Sequence, residues 1–241
     1  MSPTSEAPEI AILVDYDGTI ATVDVTDELV RTSASERQWL DLELAYRRGD
    51  IGSRALLRAE TRLLPGTAAD LPDLARDQPH DPTFVPFVEY ARAHGMTVEV
   101  VSDGLGFFVA PALATLGLGG LPVYSAALGY TPTGPEITFP NGHPACQVCG
   151  TCKRQRVLLH QAAGRHVVFI GDGYSDQYAA AHADTVFAKA ELATICERRG
   201  LPFQRWRTFD DVHAWLTQAQ ARGALSGPVA RPYVCGPETA R

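Results

Sequence analysis

Three apolar runs in this chain each stop abruptly at a polar, glycine-containing turn, and that repetition constrains the fold more than any other feature. Ile10–Val14 runs into Asp15-Tyr16-Asp17-Gly18-Thr19, Thr97–Val101 into Ser102-Asp103-Gly104, and His166–Ile170 into Gly171-Asp172-Gly173. Short runs rich in β-branched residues, with little polar alternation, are the pattern of strands buried on both faces. Each is followed by a helix-compatible stretch, and a fourth strand is expected at Thr185–Ala188 after a helical segment from Gln177 to His182. Strands alternating with helices predict an α/β fold, a doubly wound, Rossmann-like parallel sheet with helices on both faces.

The segment between the first two strands is different in kind. From about Asp24 to His80 apolar residues recur at helical spacing (Leu40 and Leu44, then Leu56, Leu57, Leu63 and Leu64), and Pro65, Gly66, Pro72 and Pro79 punctuate its second half. This predicts a helical cap of two to four helices inserted after the first strand. The expected division is a core of residues 8–22 and 81–222, a cap of residues 23–80, and a weakly ordered Gly-, Pro- and Ala-rich tail of residues 223–241. Pro82–His94 reads as the helix leading back into the core, and Tyr124–Leu128 with Glu136–Phe139 as a hairpin. Leu105–Pro135 carries no charge and is long enough to span a bilayer, but Pro111, Gly117-Leu-Gly-Gly-Leu-Pro122 and Gly129 would break a single helix. It is expected to form a short helix, a turn and a buried strand.

In open parallel sheets, ligands collect outside the carboxyl ends of the strands. Asp15 and Asp17 are two residues apart and leave an extended chain end on the same side. Gly18 permits a tight turn and close approach of a ligand, and Thr19 is suited to cap a following helix. Several carboxylates gathered at one sheet edge repel one another. The simplest remedy is a hard divalent cation held by oxygens, and Mg²⁺ suits few carboxylates completed by water and a phosphate. Taken singly, each Asp could equally be a turn or cap residue; it is the convergence of three clusters that points to chemistry.

Those residues resemble the motifs of the haloacid dehalogenase-like phosphohydrolases, whose first motif is Asp-x-Asp-Gly-Thr after a buried strand. The four motifs fall in the family's order at Asp15–Thr19, Ser102, Lys153, and Asp172 with Asp176, at successive spacings of 87, 51 and 19 residues. The resemblance runs from about Ile10 to Trp215. It implies Asp15 as nucleophile, Asp17 as acid and base, Ser102 as a hydrogen-bond donor to the transferring phosphoryl group, and Lys153 as a fixed cation. It implies Mg²⁺ as cofactor, held by Asp15, Asp17 (through its carbonyl) and Asp172, with Asp176 in support. Gly18, Asp24, Asp103 and Gly104 are the expected substrate-binding residues, although Asp24 could equally cap a helix. Dehalogenases and ion-pumping ATPases of the superfamily lack the second acid, so Asp17 implies a phosphatase or a phosphomutase.

Cap placement after the first motif is that of the phosphoserine-phosphatase-like branch. Within it the likeness is nearest to the methionine-salvage phosphatases acting on 2-hydroxy-3-keto-5-methylthiopentenyl-1-phosphate. It rests on Asp15–Ile20 followed by Asp24, on Ser102-Asp-Gly-Leu-Gly-Phe-Phe-Val109, and on a cysteine-rich loop before Lys153. Phosphoserine and phosphocholine/phosphoethanolamine phosphatases are neighbours in the branch, but the cap residues with which phosphoserine phosphatases hold amino and carboxyl groups have no clear match. A noncatalytic phosphometabolite-binding protein is the rival from another class.

Lys+Arg total 21 against 28 Asp+Glu, a net charge of −7, which excludes the broad cationic field of nonspecific nucleic-acid binders. The expected partner is a small phosphorylated metabolite, with no nucleic acid and no membrane; a homodimer is compatible with the sequence. Met1–Glu9 lacks a basic start and an apolar stretch, and an odd count of five cysteines agrees with a reducing compartment, so a cytoplasmic setting is expected. Cys146, Cys149 and Cys152, spaced C-x₂-C-x₂-C beside His143, have zinc-ligand chemistry but lie in one short loop. Zinc, a disulfide and free thiols all remain open for them.

Overall fold

The central strand β1 (Ile10–Val14) is buried at every residue, and its side chains divide between two cores. Ile10, Ile12 and Val14 enter one apolar cluster and Leu13 the other, as the period of two requires. The computed structural model describes residues 9–71, 73, 77–225, 227–229, 231 and 235. Seven strands form one sheet in the order β4-β3-β2-β1-β5-β6-β7, with β2 (Thr97–Leu105), β3 (Val123–Thr131), β4 (Gly134–Thr138), β5 (His166–Gly171), β6 (Thr185–Ala188) and β7 (Gln204–Arg205). All pairings are parallel except the β3–β4 hairpin.

One sheet face is covered by α4 (Phe84–Ala93), α5 (Gly106–Thr115) and α9 (Phe209–Ala221), through Phe84, Phe87, Phe108, Phe209, Val212 and Leu216. The other face is covered by α6 (Lys153–Ala162), α7 (Gln177–Ala180) and α8 (Ala190–Arg199), through Val157, Ala179, Ala180, Leu192 and Cys196. Helices on both faces make this the doubly wound arrangement. Because β2 and β5 flank β1 on opposite sides, the reversal of winding, where such sheets bind ligands, lies at the end of β1.

Between β1 and α4 the chain forms α1 (Val25–Ser33), α2 (Glu36–Arg47), α3 (Ser53–Thr61) and a short 3₁₀ turn at Ala68–Asp70. Asp24 caps α1 by accepting from Asp27 N at 2.8 Å, and Ser35 with Gln38 forms a capping box on α2. The segments entering and leaving the insertion lie antiparallel, with an Ala21–His80 bridge, Thr22 N donating to Pro79 O and Asp81 N donating to Ile20 O, both at 2.9 Å.

Several expectations shift. Thr19 does not cap a helix: α1 begins five residues later than its position allows, and Thr19 is used elsewhere. The second strand continues past Val101 to Leu105, with a register irregularity between those residues that carries Ser102–Gly104 through the strand end. The strand after α5 is only half-buried, Ala126 and Leu128 alone being fully covered. Leu40 and Leu44 keep their helical spacing but are 43% and 45% exposed, and α2 buries no residue in the core. In the expected tail, Leu225 is buried in the core and Val229 N donates to Asp184 Oδ1 at 2.7 Å, whereas residues 226, 230, 232–234 and 236–241 of that reading lie outside the described residues, as does residue 8. Among the described residues no helix is long and apolar enough to cross a membrane.

Candidate active site

Asp15 leaves the sheet at the end of β1, tied to the neighbouring strand by Asp15 N donating to Ile170 O at 2.9 Å. Its carboxylate is almost fully buried, and Lys153 Nζ donates to its Oδ1 at 2.6 Å. The same ammonium donates to Asp176 Oδ1 at 2.6 Å and Ser175 Oγ at 3.1 Å. Asp176 Oδ2 accepts from the backbone N–H of Asp172 and of Gly173, both at 3.0 Å. Asp176 thus has both oxygens engaged, fixing the turn after β5 on one side and the lysine on the other. Lys153 is the first residue of α6, and its side chain is 2% exposed.

Asp172 is oriented by Thr19, whose hydroxyl donates to Asp172 Oδ1 at 2.9 Å. Gly18 adopts φ +69°, and a Cβ there would collide with the Asp172 carboxylate, so glycine is demanded by both backbone and space. Asp17 Oδ1 accepts from Val25 N at 2.9 Å, which sets the carboxylate against the first turn of α1. Gly104 brings the β2 turn against Asp17: a Cβ on it would strike Asp17 Oδ2 and lie 3.1 Å from Ser102 Oγ. Ser102 is fully buried; its Oγ accepts from Gly104 N at 2.9 Å, which leaves its own hydrogen to donate.

Asp103 accepts from Thr151 N at 2.7 Å and from the Ser53 hydroxyl, so it anchors the loop that presents Lys153 as well as facing the cavity. That loop is held from the insertion too. Arg54 donates through Nε to Cys149 O at 3.1 Å and through Nη1 to Gln147 Oε1 at 2.7 Å, and Gly150 N donates to Ser53 Oγ at 3.1 Å. Cys146, Cys149 and Cys152 carry free thiols, and burial pushes the last two up from their ordinary values. Among the described residues, the His, Cys, Asp and Glu groups within reach of a single ion are Asp15, Asp172 and Asp176, not the cysteines with His143.

The electrostatics of the three carboxylates fit a cation. Asp15 is held well above the usual carboxylate range by burial and by the charge of Asp176, although Lys153 pulls the other way. Asp172 is pushed up to about 7 by the same two causes. Their oxygens approach within 4.8 Å of one another, an all-oxygen donor set of the kind hard divalent cations take. Asp17 is raised well above its ordinary value by burial and next by Asp24, against the hydrogen bond from Val25.

These groups open into a cavity of about 560 Å³, floored by Asp15, Asp17, Gly104 and Asp172 and roofed by α1, α2 and α3. Ser102 and Lys153 sit buried beneath that floor. Asp24, open to the cavity, is at once helix cap and cavity wall; enclosure by protein raises its carboxyl to about 6, with Asp27 and Glu43 adding like charge against the hydrogen bond from Asp27 N. Thr19, read within the first motif but as a helix cap, instead donates to Asp172; Ser175 and Arg54 were not legible as site residues, because a lone hydroxyl or guanidinium in sequence carries no sign of what it will face.

A cavity at the switch point of a doubly wound sheet, with Asp15 and Asp17 at the end of the first strand and a buried lysine joining Asp15 to Asp176, is the arrangement of a hydrolase active site. The sequence profile of the haloacid dehalogenase-like hydrolases matches residues 12–181, and the chain belongs to that family. A 2-hydroxy-3-keto-5-methylthiopentenyl-1-phosphate phosphatase of Brevibacillus brevis is 30% identical over 219 residues, covering 88% of this chain and 97% of the relative. One of the same description from Exiguobacterium sibiricum is 28% identical over 218 residues, covering 88% and 99%. Among solved structures, a phosphoserine phosphatase with a phospho-aspartyl intermediate analogue superposes with a TM-score of 0.67 at 18% identity, covering 86% of this chain and 99% of that one. That likeness establishes the shared fold.

Proposed function

We propose that the chain is a Mg²⁺-dependent phosphatase that hydrolyses a small phosphate monoester through an aspartyl-phosphate on Asp15. The observation that carries this reading is the Asp15 carboxylate itself: it opens into the cavity, is gripped by Lys153 at 2.6 Å, and lies within shared-ligand range of Asp172. In the first step an Asp15 oxygen forms a bond to phosphorus while the ester P–O bond breaks. Asp17, whose burial favours its protonated form, gives its proton to the departing alkoxide. In the second step Asp17 takes a proton from water, the resulting hydroxide attacks phosphorus, and the Asp15–phosphorus bond breaks to release inorganic phosphate. Phosphoryl transfer depends mainly on positioning and charge neutralisation. Lys153 supplies a fixed positive charge and Ser102 a hydroxyl donor for phosphoryl oxygens. Asp15, the Asp17 carbonyl and Asp172 would hold Mg²⁺, with Asp176 orienting the last; the ion supplies charge neutralisation for the phosphoryl oxygens.

Residues 23–80 act in this reading as a cap that excludes water and reads the leaving alcohol, over a core of residues 8–22 and 81–222. The names of the relatives make 2-hydroxy-3-keto-5-methylthiopentenyl-1-phosphate the first ester to assay, in a cytoplasmic metabolic setting. The reaction is tested with Asp15→Asn on p-nitrophenyl phosphate, with and without Mg²⁺. Wild-type turnover should require Mg²⁺ and fall at least about a thousandfold in the variant, as removal of a covalent nucleophile demands. Retained turnover in the variant would overturn the nucleophile assignment.

A further inference from the structure

A second cavity opens at the carboxyl ends of β6 and β7, beside the one that holds the carboxylates and opposite to it in charge. Its volume is about 700 Å³, and Lys189, Arg205, Trp206 and Arg207 line it at the strand ends, with Asp211 and Trp215 from α9. A chain with seven more acids than bases thus gathers three bases in one place.

Two of those bases are uncommitted. Arg205 pairs with Glu197, and Asp211 Oδ2 accepts from the backbone N–H of Arg207 at 2.8 Å and of Thr208 at 3.3 Å. Among the described residues, neither the Lys189 ammonium nor the Arg207 guanidinium makes a hydrogen bond or an ion pair. Lys189 lies instead over the Trp206 ring, 4.1 Å from its centroid. Burial pushes its ammonium below the ordinary value against the pull of Asp172, Asp81 and Asp15, so those carboxylates leave its charge under-compensated.

The turn that presents Lys189 is fixed in place. Lys189 N donates to Gly171 O at 3.3 Å and Leu192 N to Asp172 O at 2.7 Å, which ties the turn to the end of β5. Ala190 between them adopts φ +43°, the one left-handed non-glycine among the described residues, and it lines both cavities. Strain of this kind persists only where the surroundings enforce it, and it clusters at binding sites.

The occupant must be anionic to answer two free cations, and organic to fill the space, since a bare oxyanion would leave most of the volume empty. The wall it would meet is aromatic: two of the three tryptophans of the chain stand here, Trp206 buried under Lys189 and Trp215 half-buried at the side. Arginine and lysine take phosphate oxygens, and an indole is a good surface for a flat heteroaromatic ring.

We propose that this second cavity is a noncatalytic binding site for a mononucleotide-like anion, with its phosphate held by Lys189 and Arg207 and its ring laid against Trp215. The inference does not rest on the phosphatase reading.

The probe is AMP, compared with its two halves, adenosine and ribose 5-phosphate, by calorimetry on the full chain in EDTA. AMP should bind with a Kd at or below about 1 mM, at least about tenfold more tightly than either half, and should quench tryptophan fluorescence. Arg207→Ala, at an exposed position that the fold does not depend on, should weaken AMP at least about tenfold. Lys189→Gln should act in the same direction, and Ser102→Ala, which alters only the catalytic cavity, should leave the affinity within about twofold. Absence of AMP binding overturns the proposal, as does ribose 5-phosphate binding as tightly as AMP. Binding that survives Arg207→Ala but is lost in Ser102→Ala places the nucleotide in the catalytic cavity and overturns it too.

Discussion

Replacing Lys153 with Met keeps the aliphatic stem of the side chain and removes its charge from between two carboxylates. In the folded protein the ammonium sits 2.6 Å from Asp15 and 2.6 Å from Asp176, with side-chain exposures of 2%, 6% and 0% for the three residues. Removing one partner of a buried, hydrogen-bonded charge set costs about 3–5 kcal/mol, because the remaining charges are stranded. That is a large share of the roughly 5–15 kcal/mol by which domains are stable. The cost should depend on pH, with a definite sign. Below the unfolded carboxylate value of about 4, Asp15 is neutral in both states of the variant, and little is stranded. As pH rises, the unfolded chain ionises Asp15 freely while the variant's folded site resists, so the gap from wild type should widen and reach its full size near neutrality. Lys153 is itself held above its ordinary value by Asp15 and Asp176, so its contribution is intact below about pH 10 and fades only above it. Urea denaturation of both proteins without metal, at about pH 4, 5.5 and 7, measures this. A difference near zero at neutral pH, or one that does not change with pH, would refute the argument that the lysine's role is to compensate stranded carboxylates.

Gly18→Ala should lose about 1–2 kcal/mol of stability from the φ of +69° alone. It should also weaken Mg²⁺ activation by more than tenfold, since the new methyl displaces the Asp172 carboxylate; thermal melts and an Mg²⁺ titration of turnover separate the two effects. Mg²⁺ at about a hundred times its dissociation constant should stabilise the wild type by about 2.7 kcal/mol in a thermal shift, and Asp172→Asn should abolish the shift. Because the Asp172 carboxyl is raised to about 7, this stabilisation should fade as pH is lowered from about 8 to 6, protons then competing with the ion. Arg54→Ala, releasing Gln147 and Cys149, should lower kcat by about tenfold and expose the loop to proteolysis, and Arg54→Lys should not restore either, lacking the planar fork.

The centre of the sheet was legible because β1, β2 and β5 are buried on both faces, so sequence alone carries the message: Ile10–Val14 has no polar residue to confuse it, and Asp15 marks its end. The acids at strand ends followed, since parallel topology forces such ends together. Legibility failed where one local pattern serves two tertiary fates. Leu40 and Leu44 obey helical periodicity whether they face a core or a cavity, and here they face the cavity. Thr19 has the chemistry of a helix cap and of a hydrogen-bond donor, and only the fold, which brings β5 beside β1, chooses Asp172 as its acceptor. Ser102–Gly104 sit at an irregularity in β2, which no propensity marks.

The charge balance shows the same limit most sharply. An excess of seven acids reads in sequence as a solvated surface, since surface is where charged residues ordinarily lie. The fold instead gathers Asp24, Asp27, Glu43 and Glu60 around one cavity that also holds Asp15, Asp17 and Asp172. The two sets then have different answers. The sheet-edge carboxylates have Lys153 and a donor set fit for a dication, so their charge is balanced by parts that phosphoryl transfer needs anyway. Among the described residues lining the cavity, the basic side chain near the insertion carboxylates is Arg47, shared between Glu43 and Glu191, while Asp27 also accepts from the Trp39 indole. Burial and mutual repulsion raise the carboxyls of Asp24, Asp27, Glu43 and Glu60, so protonation relieves part of that repulsion.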